Sequence, residues 1–320
     1  MAYWVNLFHA LPHLRNVIRD YTAIRVLRRD LRGRASELRS GSGVNALHFV
    51  YGLKSAENFP FYACMAVLSA QARHPAAKTF LYLHHEPTGV YWDLIKPRVE
   101  IVRIPDIDYF GFARIRHYAH KSDVIRLLAL IEIGGLYLDC DSFTLANMDE
   151  LAHHDYVVGV QQTIPGAMGG FCNAIMLGRR GSRFAKRWLR QYRSFRSSGR
   201  DKMWDFHSVK LPMYLYSRRR TGVHVLTHEK WFFPLWNHID RFLFDPTWRK
   251  DSHDLSSEQY AIHLWHNMAF NALDEWSPER MKRADCFYAD ICTTALEALP
   301  KTERGTIMAA LEACKANEAA

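Results

Sequence analysis

The sequence predicts an α/β protein: a mostly parallel sheet flanked by helices, with helical extensions at both ends. Three observations carry this prediction. From Val44 onward, short apolar runs at residues 46–51 (ALHFVY), 79–83 (TFLYL) and 99–104 alternate with a helical pattern at 58–73. That strand–helix–strand order builds parallel sheets. Residues 121–143 (KSDVIRLLALIEIGGLYLDCDSF) repeat the same unit, a helix, a two-glycine stop and a short strand. The ends differ in texture: residues 1–42 show apolar positions at three- and four-residue spacing, and 294–299 and 307–313 read as helix. The expected division is a basic amphipathic extension at 1–42, a catalytic-type α/β domain at 43–270 and a helical extension at 271–320.

With 320 residues, 48% of them hydrophobic, the chain can bury a substantial core. The net charge of +9 fits nucleic acid, an anionic membrane surface or an anionic substrate. No zinc-finger spacing, RNA-binding aromatic motif or homeodomain-like helix supports nucleic acid, which is therefore not expected. The six cysteines, Cys64, Cys140, Cys172, Cys286, Cys292 and Cys314, form no CxxC pair. Together with the absence of a signal-peptide core or an apolar run long enough to span a bilayer, they lead us to expect a cytoplasmic protein, peripheral on the inner face of the membrane if it meets one.

In the N-terminal extension Leu14, Val17, Ile18, Tyr21, Ile24, Leu27 and Leu31 form the apolar stripe. Arg15, Arg19, Arg25, Arg29 and Arg32 mark the other face, and Tyr3, Trp4 and Phe8 precede both. Such a helix either lies in a membrane interface or packs on the catalytic domain with its arginines in water. Residues 40–43 (SGSG) are a flexible joint. Tyr51 closes the first strand, where an aromatic either stacks on a ligand or packs on the core.

In the 121–143 stretch, Val124, Leu127, Leu128 and Ile131 put one apolar stripe on a helix. Ser122 is a candidate N-cap, and Asp123 sits in the first turn where the helix dipole favours an anion. Gly134 and Gly135 stop the helix, and Leu136, Tyr137 and Leu138 form a buried strand ending in Asp139 and Asp141. Ligands of open α/β sheets sit beyond the carboxyl ends of strands, and two carboxylates there can share a hard divalent cation with a diphosphate. A bare DxD is more often a solvated strand end than a site. Asp123 and Arg126, at i, i+3 on the preceding helix, favour the site reading.

The whole stretch resembles the sugar-binding region containing the DxD motif of retaining GT-A glycosyltransferases. That group includes glycosyltransferase family 32, the α-1,4-glycosyltransferases and, more distantly, the large glucosylating toxins. Ser122, Asp123, Arg126, Gly134, Gly135, Tyr137, Asp139 and Asp141 match in register. Weaker resemblances extend to Tyr51, which stands where the group tends to carry a base-stacking Trp, to Asn173, and to His263-Leu264-Trp265, with His266 replacing an Asn. The resemblance implies a GT-A-type, Rossmann-like sheet and a sugar nucleotide donor, UDP-linked in preference to GDP-linked. It also implies Mn²⁺ or Mg²⁺, a glycan or glycolipid acceptor as in surface polysaccharide synthesis, and retention at the anomeric carbon. Asp139, Asp141 and His263 are then the metal ligands. Tyr51, Asp123, Arg126, Tyr137, Asp139 and Asn173 bind the donor, and Asp139, Asp141 and Arg126 are the catalytic set.

The rest of the chain reads as supporting structure. Strands are expected at 156–161 and 173–177, after Gly169-Gly170, and a basic helix at 184–195. Lys186, Arg187, Arg190 and Arg193 are its solvated face, and Arg218-Arg219-Arg220 is a solvated loop. Residues 224–226 and 231–233 read as a small β element. Two alternatives stand beside the transferase reading. A haloacid-dehalogenase-type phosphatase also places DxD after an apolar strand, its first Asp acting as nucleophile. A degenerate transferase fold could bind sugar without catalysis.

Overall fold

The computed structural model describes the backbone of residues 2–38, 41–164, 166–248, 259–268 and 272–313, with side chains from residue 13 to 312. In chain order the elements are helix α1 (Ala2–Ser36), strand β1 (Ala46–Val50), α2 (Phe61–Arg73), β2 (Lys78–Leu83), α3 (Val90–Ile95) and β3 (Glu100–Arg103). A two-strand ribbon follows, β4 (Tyr109–Phe110) and β5 (Ala113–Arg114), then α4 (Tyr118–Glu132), β6 (Gly135–Leu138) and β7 (Ser142–Thr144). The second half carries β8 (Tyr156–Ile164), β9 (Ala167–Gly178), α5 (Arg183–Gln191), α6 (Leu211–Arg218), β10 (Val223–Leu226), α7 (His228–Trp231), α8 (Ile239–Phe244) and β11 (Ala261–His263). It closes with α9 (Pro278–Arg283), α10 (Phe287–Ala298) and α11 (Lys301–Ala313).

Seven strands form one sheet in the order β10-β8-β9-β6-β1-β2-β3. Six run parallel; only β9 is reversed, pairing antiparallel with both β6 and β8. Alternation along each strand sends one side chain set to each face. Leu47, Phe49, Leu81, Leu83, Leu136 and Leu138 join one core, with α2 and α10. Ala46, Phe80, Tyr82 and Tyr137 join the other, with α1, α4, α5 and α6. The carboxyl ends of β1 and β6 therefore open onto one rim.

The expected α1 stripe divides. Val17, Ile24, Leu27 and Leu31 are buried, whereas Leu14, Ile18 and Tyr21 are exposed. Seven apolar positions span more arc than the helix can bury against α4 and β4. Clamps fix it further: Arg28 and Arg32 both pair with Glu132 at the end of α4. The buried Asp20 carboxylate accepts the backbone N–H groups of Asp108 (2.8 Å) and Tyr109 (2.9 Å). The side chains of Tyr3, Trp4 and Phe8 lie outside the described residues.

Three local expectations need correction. Helix α4 starts at Tyr118, not Lys121, because the His117 imidazole caps it by accepting the Ala119 N–H (3.2 Å). Ser122 is thus inside the helix. Residues 231–233 are not a strand: α7 ends at Trp231, and Trp231 and Phe232 are fully buried as a helical turn rather than an extended pair. Gly169 and Gly170 do not precede β9 but lie within it. A Cβ on Gly170 would meet the Val209 carbonyl at 2.5 Å, so the glycine admits a close backbone approach.

Candidate active site

The α4–β6 junction determines where the acids sit. Gly134 and Gly135 take φ of +84° and +107°, and a Cβ on Gly135 would lie 2.3 Å from the Ala46 carbonyl oxygen. Only glycine permits a turn this close to β1. His48, buried in β1, holds the junction: its Nε2–H donates to the Gly134 carbonyl (2.7 Å) while Nδ1 accepts from the Tyr82 hydroxyl (2.9 Å). The carbonyl can only accept, which fixes the tautomer. Burial pushes this imidazole down to about 4, so it stays neutral.

Arg126 lies under the first acid. Its guanidinium is buried, stacks over the Tyr137 ring at 4.5 Å and donates to the Asn173 carbonyl (2.8 Å) and Ser122 Oγ (2.9 Å). It also pairs with Asp139 Oδ1 at 3.0 Å, and the Tyr137 hydroxyl donates to the same oxygen at 2.5 Å. Asp123 accepts Asn173 Nδ2–H at 2.6 Å. Five predicted residues, Asp123, Arg126, Tyr137, Asp139 and Asn173, therefore form one connected network. Burial raises the Asp139 carboxyl above its ordinary value; Arg126 opposes the rise and Asp141 adds to it.

The second acid is held by the distant chain. Strand β11 pairs antiparallel with β7, setting His263 opposite Ser142 and beside Asp141. His263 Nε2 lies 3.3 Å from Asp141 Oδ2, the His266 N–H donates to the same oxygen (2.9 Å), and the Leu264 N–H donates to the Asp141 carbonyl (2.7 Å). Wrapping the chain this tightly around Asp141 puts Trp265 at φ +53°, an uncommon conformation for a bulky residue, held by its indole N–H on the Pro234 carbonyl (3.1 Å). Burial alone would raise the Asp141 carboxyl, but His263 and the His266 amide hold it well below the usual carboxylate range. The His263 imidazole is raised in return by Asp141, against the effect of burial.

Asp139, Asp141 and His263 offer ligand atoms that all lie within 4.8 Å of one another. Among the described residues His263 Nδ1 is buried without a hydrogen-bond partner. Two carboxylates and a neutral imidazole suit Mn²⁺, and the carboxylates suit Mg²⁺. The donor set fits a divalent cation.

A cavity of about 670 Å³ opens over this network. Tyr51 lines its far wall, donating its hydroxyl to the Asn58 carbonyl (2.9 Å), and is not part of the Asp139 network. His266 stacks on Tyr62 (4.8 Å between ring centres) at the same side. The opposite wall was invisible in the sequence: Gln161, Trp204, Asp205, Ser208 and Trp236 line it. A π-helical turn, Phe206–Lys210, presents Ser208. Trp204 packs against His117 and His120, and Trp236 donates its indole N–H to the Thr163 carbonyl (3.4 Å). The π-turn was the available signal, since such turns recur at functional sites, but it has no sequence signature.

The described family of the glycosyltransferase sugar-binding region containing the DXD motif matches residues 50–158, a stretch running from the end of β1 through both acids. Glucan organizing enzyme 1 of Cryptococcus neoformans var. grubii serotype A (strain H99) is 33% identical over 250 residues, which cover 74% of this chain and 66% of that protein. The chain thus spans just under two thirds of that relative. Among solved structures, the galactosyltransferase LgtC in complex with donor and acceptor sugar analogs aligns at 14% identity over 81% of this chain and 99% of its own, with a TM-score of 0.39. The glycosyltransferase GlyE of Streptococcus pneumoniae TIGR4 aligns at 12% identity over 86% of this chain and 64% of its own, with a TM-score of 0.45. With the DxD acids at the rim of a mostly parallel sheet and inside the matched stretch, residues 50–158 carry the sugar-binding region, with its DXD motif, of a glycosyltransferase.

Proposed function

We propose that the chain is a metal-dependent, retaining hexosyltransferase that moves a sugar from a sugar nucleotide, UDP-linked in preference to GDP-linked, to a glycan or glycolipid acceptor. The observation that carries this reading is the Asp139–Asp141–His263 cluster facing one cavity with the buried Arg126. Asp141 and His263 would hold Mn²⁺ or Mg²⁺, with Asp139 sharing it. Held there, such a cation would supply Lewis-acid stabilisation of a departing nucleoside diphosphate. The chain's own residues do the positioning. Asp123 and Arg126 orient the donor sugar, and Arg126 favours the charged form of Asp139 against its burial and aims the carboxylate by pairing with it. Tyr137 fixes the same carboxylate from the other side. Tyr51 offers a face to the base, and Asn173 stands between donor and acceptor. Trp204, Asp205 and Trp236 form the wall that an acceptor sugar would meet. A relative named for organising glucan accords with a glycan acceptor and a role in surface polysaccharide synthesis.

Peripheral contact with the inner face of a membrane through residues 1–42, in a cytoplasmic protein, belongs to the same reading. Leu14, Ile18 and Tyr21 are exposed on α1 beside Arg15 and Arg25, an apolar and cationic surface of the kind that seats at an anionic interface. Among the described residues no helix is long and apolar enough to cross a membrane. We take 43–270 as the catalytic unit and 271–320 as a C-terminal extension, in which α10 packs on α2 and α8.

Thermal shift with a panel of sugar nucleotides and Mn²⁺ tests the proposal. The expected result is a rise in Tm with one UDP-sugar that chelator removes, by mass action of donor on the folded state. No response to any sugar nucleotide, with phosphate released from simple esters instead, would return the phosphatase alternative.

A further inference from the structure

A second charged cavity lies at the end of the sheet opposite the DxD. Its lining includes Asp155, the residue before β8, whose first residue Tyr156 pairs with Gly178; Gly178 in turn pairs with Gly135 at the start of β6, whereas the acids follow the end of that strand. The cavity, about 350 Å³, is enclosed by the first turn of α5 and the loop joining α6 to β10. Three guanidiniums, Arg183, Arg187 and Arg219, surround it against a single carboxylate, Asp155.

Arg187 is not on the solvated face expected from its helical position. It is half-buried over the Phe184 ring (5.5 Å to its centre), with Nη2–H donating to the Leu215 carbonyl. Its Nε is shielded from solvent and has no hydrogen-bond partner among the described residues. Burial depresses this guanidinium, and the positive charge of Arg219 depresses it further. Among the described residues none of the three arginines has a carboxylate within ion-pair distance; Asp155 accepts the Ser182 hydroxyl (2.9 Å), and Arg219 Nε–H donates to Thr221 Oγ1 (3.3 Å). Ser182 caps α5 by accepting the Ala185 N–H (3.3 Å), so the positive end of that helix also faces the cavity. Like charges that crowd a concave site, with one donor shielded and unused, are an arrangement completed by an anion.

We propose that this cavity binds a phosphate-class dianion, either free in solution or as the monoester headgroup of a lipid. The inference is independent of the transfer reading: it uses neither the DxD acids nor α1.

Inorganic phosphate is titrated against the full chain at constant ionic strength, with chelator present to keep divalent cations from the DxD. The wild type gains roughly 3 °C in Tm near saturation. Arg219→Gln removes that gain, yet in chloride alone melts no lower than wild type, because it relieves the repulsion on Arg187. Arg218→Gln, next to it but outside the cavity lining, keeps the gain. A wild type that phosphate does not stabilise, or a gain that survives both Arg219→Gln and Arg187→Gln, overturns the proposal. Phosphatidylcholine vesicles with and without phosphatidic acid then identify the source. Co-sedimentation that needs phosphatidic acid and is lost in Arg219→Gln assigns the lipid headgroup; a phosphate gain without such vesicle dependence assigns the free anion.

Discussion

Arg126 and Asp139, thirteen residues apart in sequence, form an ion pair of 3.0 Å between a fully buried guanidinium and a carboxylate that opens to the cavity. The pair ties the helix before the two-glycine turn to the acid after it. Removing the guanidinium takes from Asp139 its only charged partner within the network, leaving the Tyr137 hydroxyl, and takes from the Asn173 carbonyl its Arg126 donor. Arg126→Ala is expected to lose about 3 kcal/mol of stability, read as the shift in urea midpoint at unchanged slope. Arg126→Lys keeps the charge but not the fork that meets Ser122, Asn173 and Asp139 together. It should fold, with turnover down roughly tenfold or more for about 1.4 kcal/mol of lost positioning.

The Gly134–Gly135 turn gives a backbone prediction. Gly135→Ala puts a Cβ 2.3 Å from the Ala46 carbonyl oxygen at a positive φ. The cost is on the order of 3 kcal/mol or more. Gly305→Ala, on the exposed side of α11 where no atom lies within 4 Å of an added Cβ, should be neutral or stabilising by about 1 kcal/mol. Thermal melts of the two variants side by side check the contrast.

His48 gives the pH dependence. Its ordinary value is near 6.5, and burial pushes it down to about 4 in the folded chain. Between these values the unfolded state binds a proton that the folded state refuses. The stability tied to His48 is therefore complete above pH 6.5 and is lost as the pH falls toward 4, by about 3 kcal/mol in all. His207, also pushed down to about 4 by burial, adds in the same sense. Denaturant midpoints at pH 7 and pH 4.5 should show the fall, and His48→Gln should flatten part of it.

Stereochemistry separates the proposed mechanism from its mirror outcome. The residue set resembles that of retaining transferases, so an α-linked donor should give an α-linked product. Proton NMR of the first-formed linkage reads this directly; a β-linked product removes the retaining assignment while leaving the fold untouched.

Much of this site was legible because it is local. Asp123, Arg126, Gly134, Gly135, Tyr137, Asp139 and Asp141 fall in one helix–turn–strand unit, where helical spacing and two glycines already place the acids at a strand end. The parallel β1–β2–β3 half was legible for the same reason, as short apolar runs alternating with helix. His263 depends on a strand pairing across more than a hundred residues, and only its resemblance to a known element singled it out. Trp204, Asp205, Ser208 and Trp236 were missed because no period marks a π-turn or a loop that meets the sheet from afar. The α1 stripe misled in part, since periodicity states which residues are apolar, not how wide a face the neighbouring α4 can cover. Arg187 was assigned to solvent by the same reasoning, and the chain folds back over it.

We propose that Asp139, Asp141 and His263 hold a cation that makes sugar transfer possible. The most direct measurement is release of nucleoside diphosphate from the UDP-sugar selected by thermal shift, with and without Mn²⁺, for the wild type and Asp141→Asn. A neutral amide is a poor ligand for a hard cation, so the substitution should keep a cooperative melt, at a lower Tm because His263 loses its carboxylate partner, and lower release by a factor of about a hundred or more. Chelator should bring the wild type to the same level, and added Mn²⁺ should restore only the wild type. Undiminished release by Asp141→Asn, or by the wild type in excess chelator, contradicts the account.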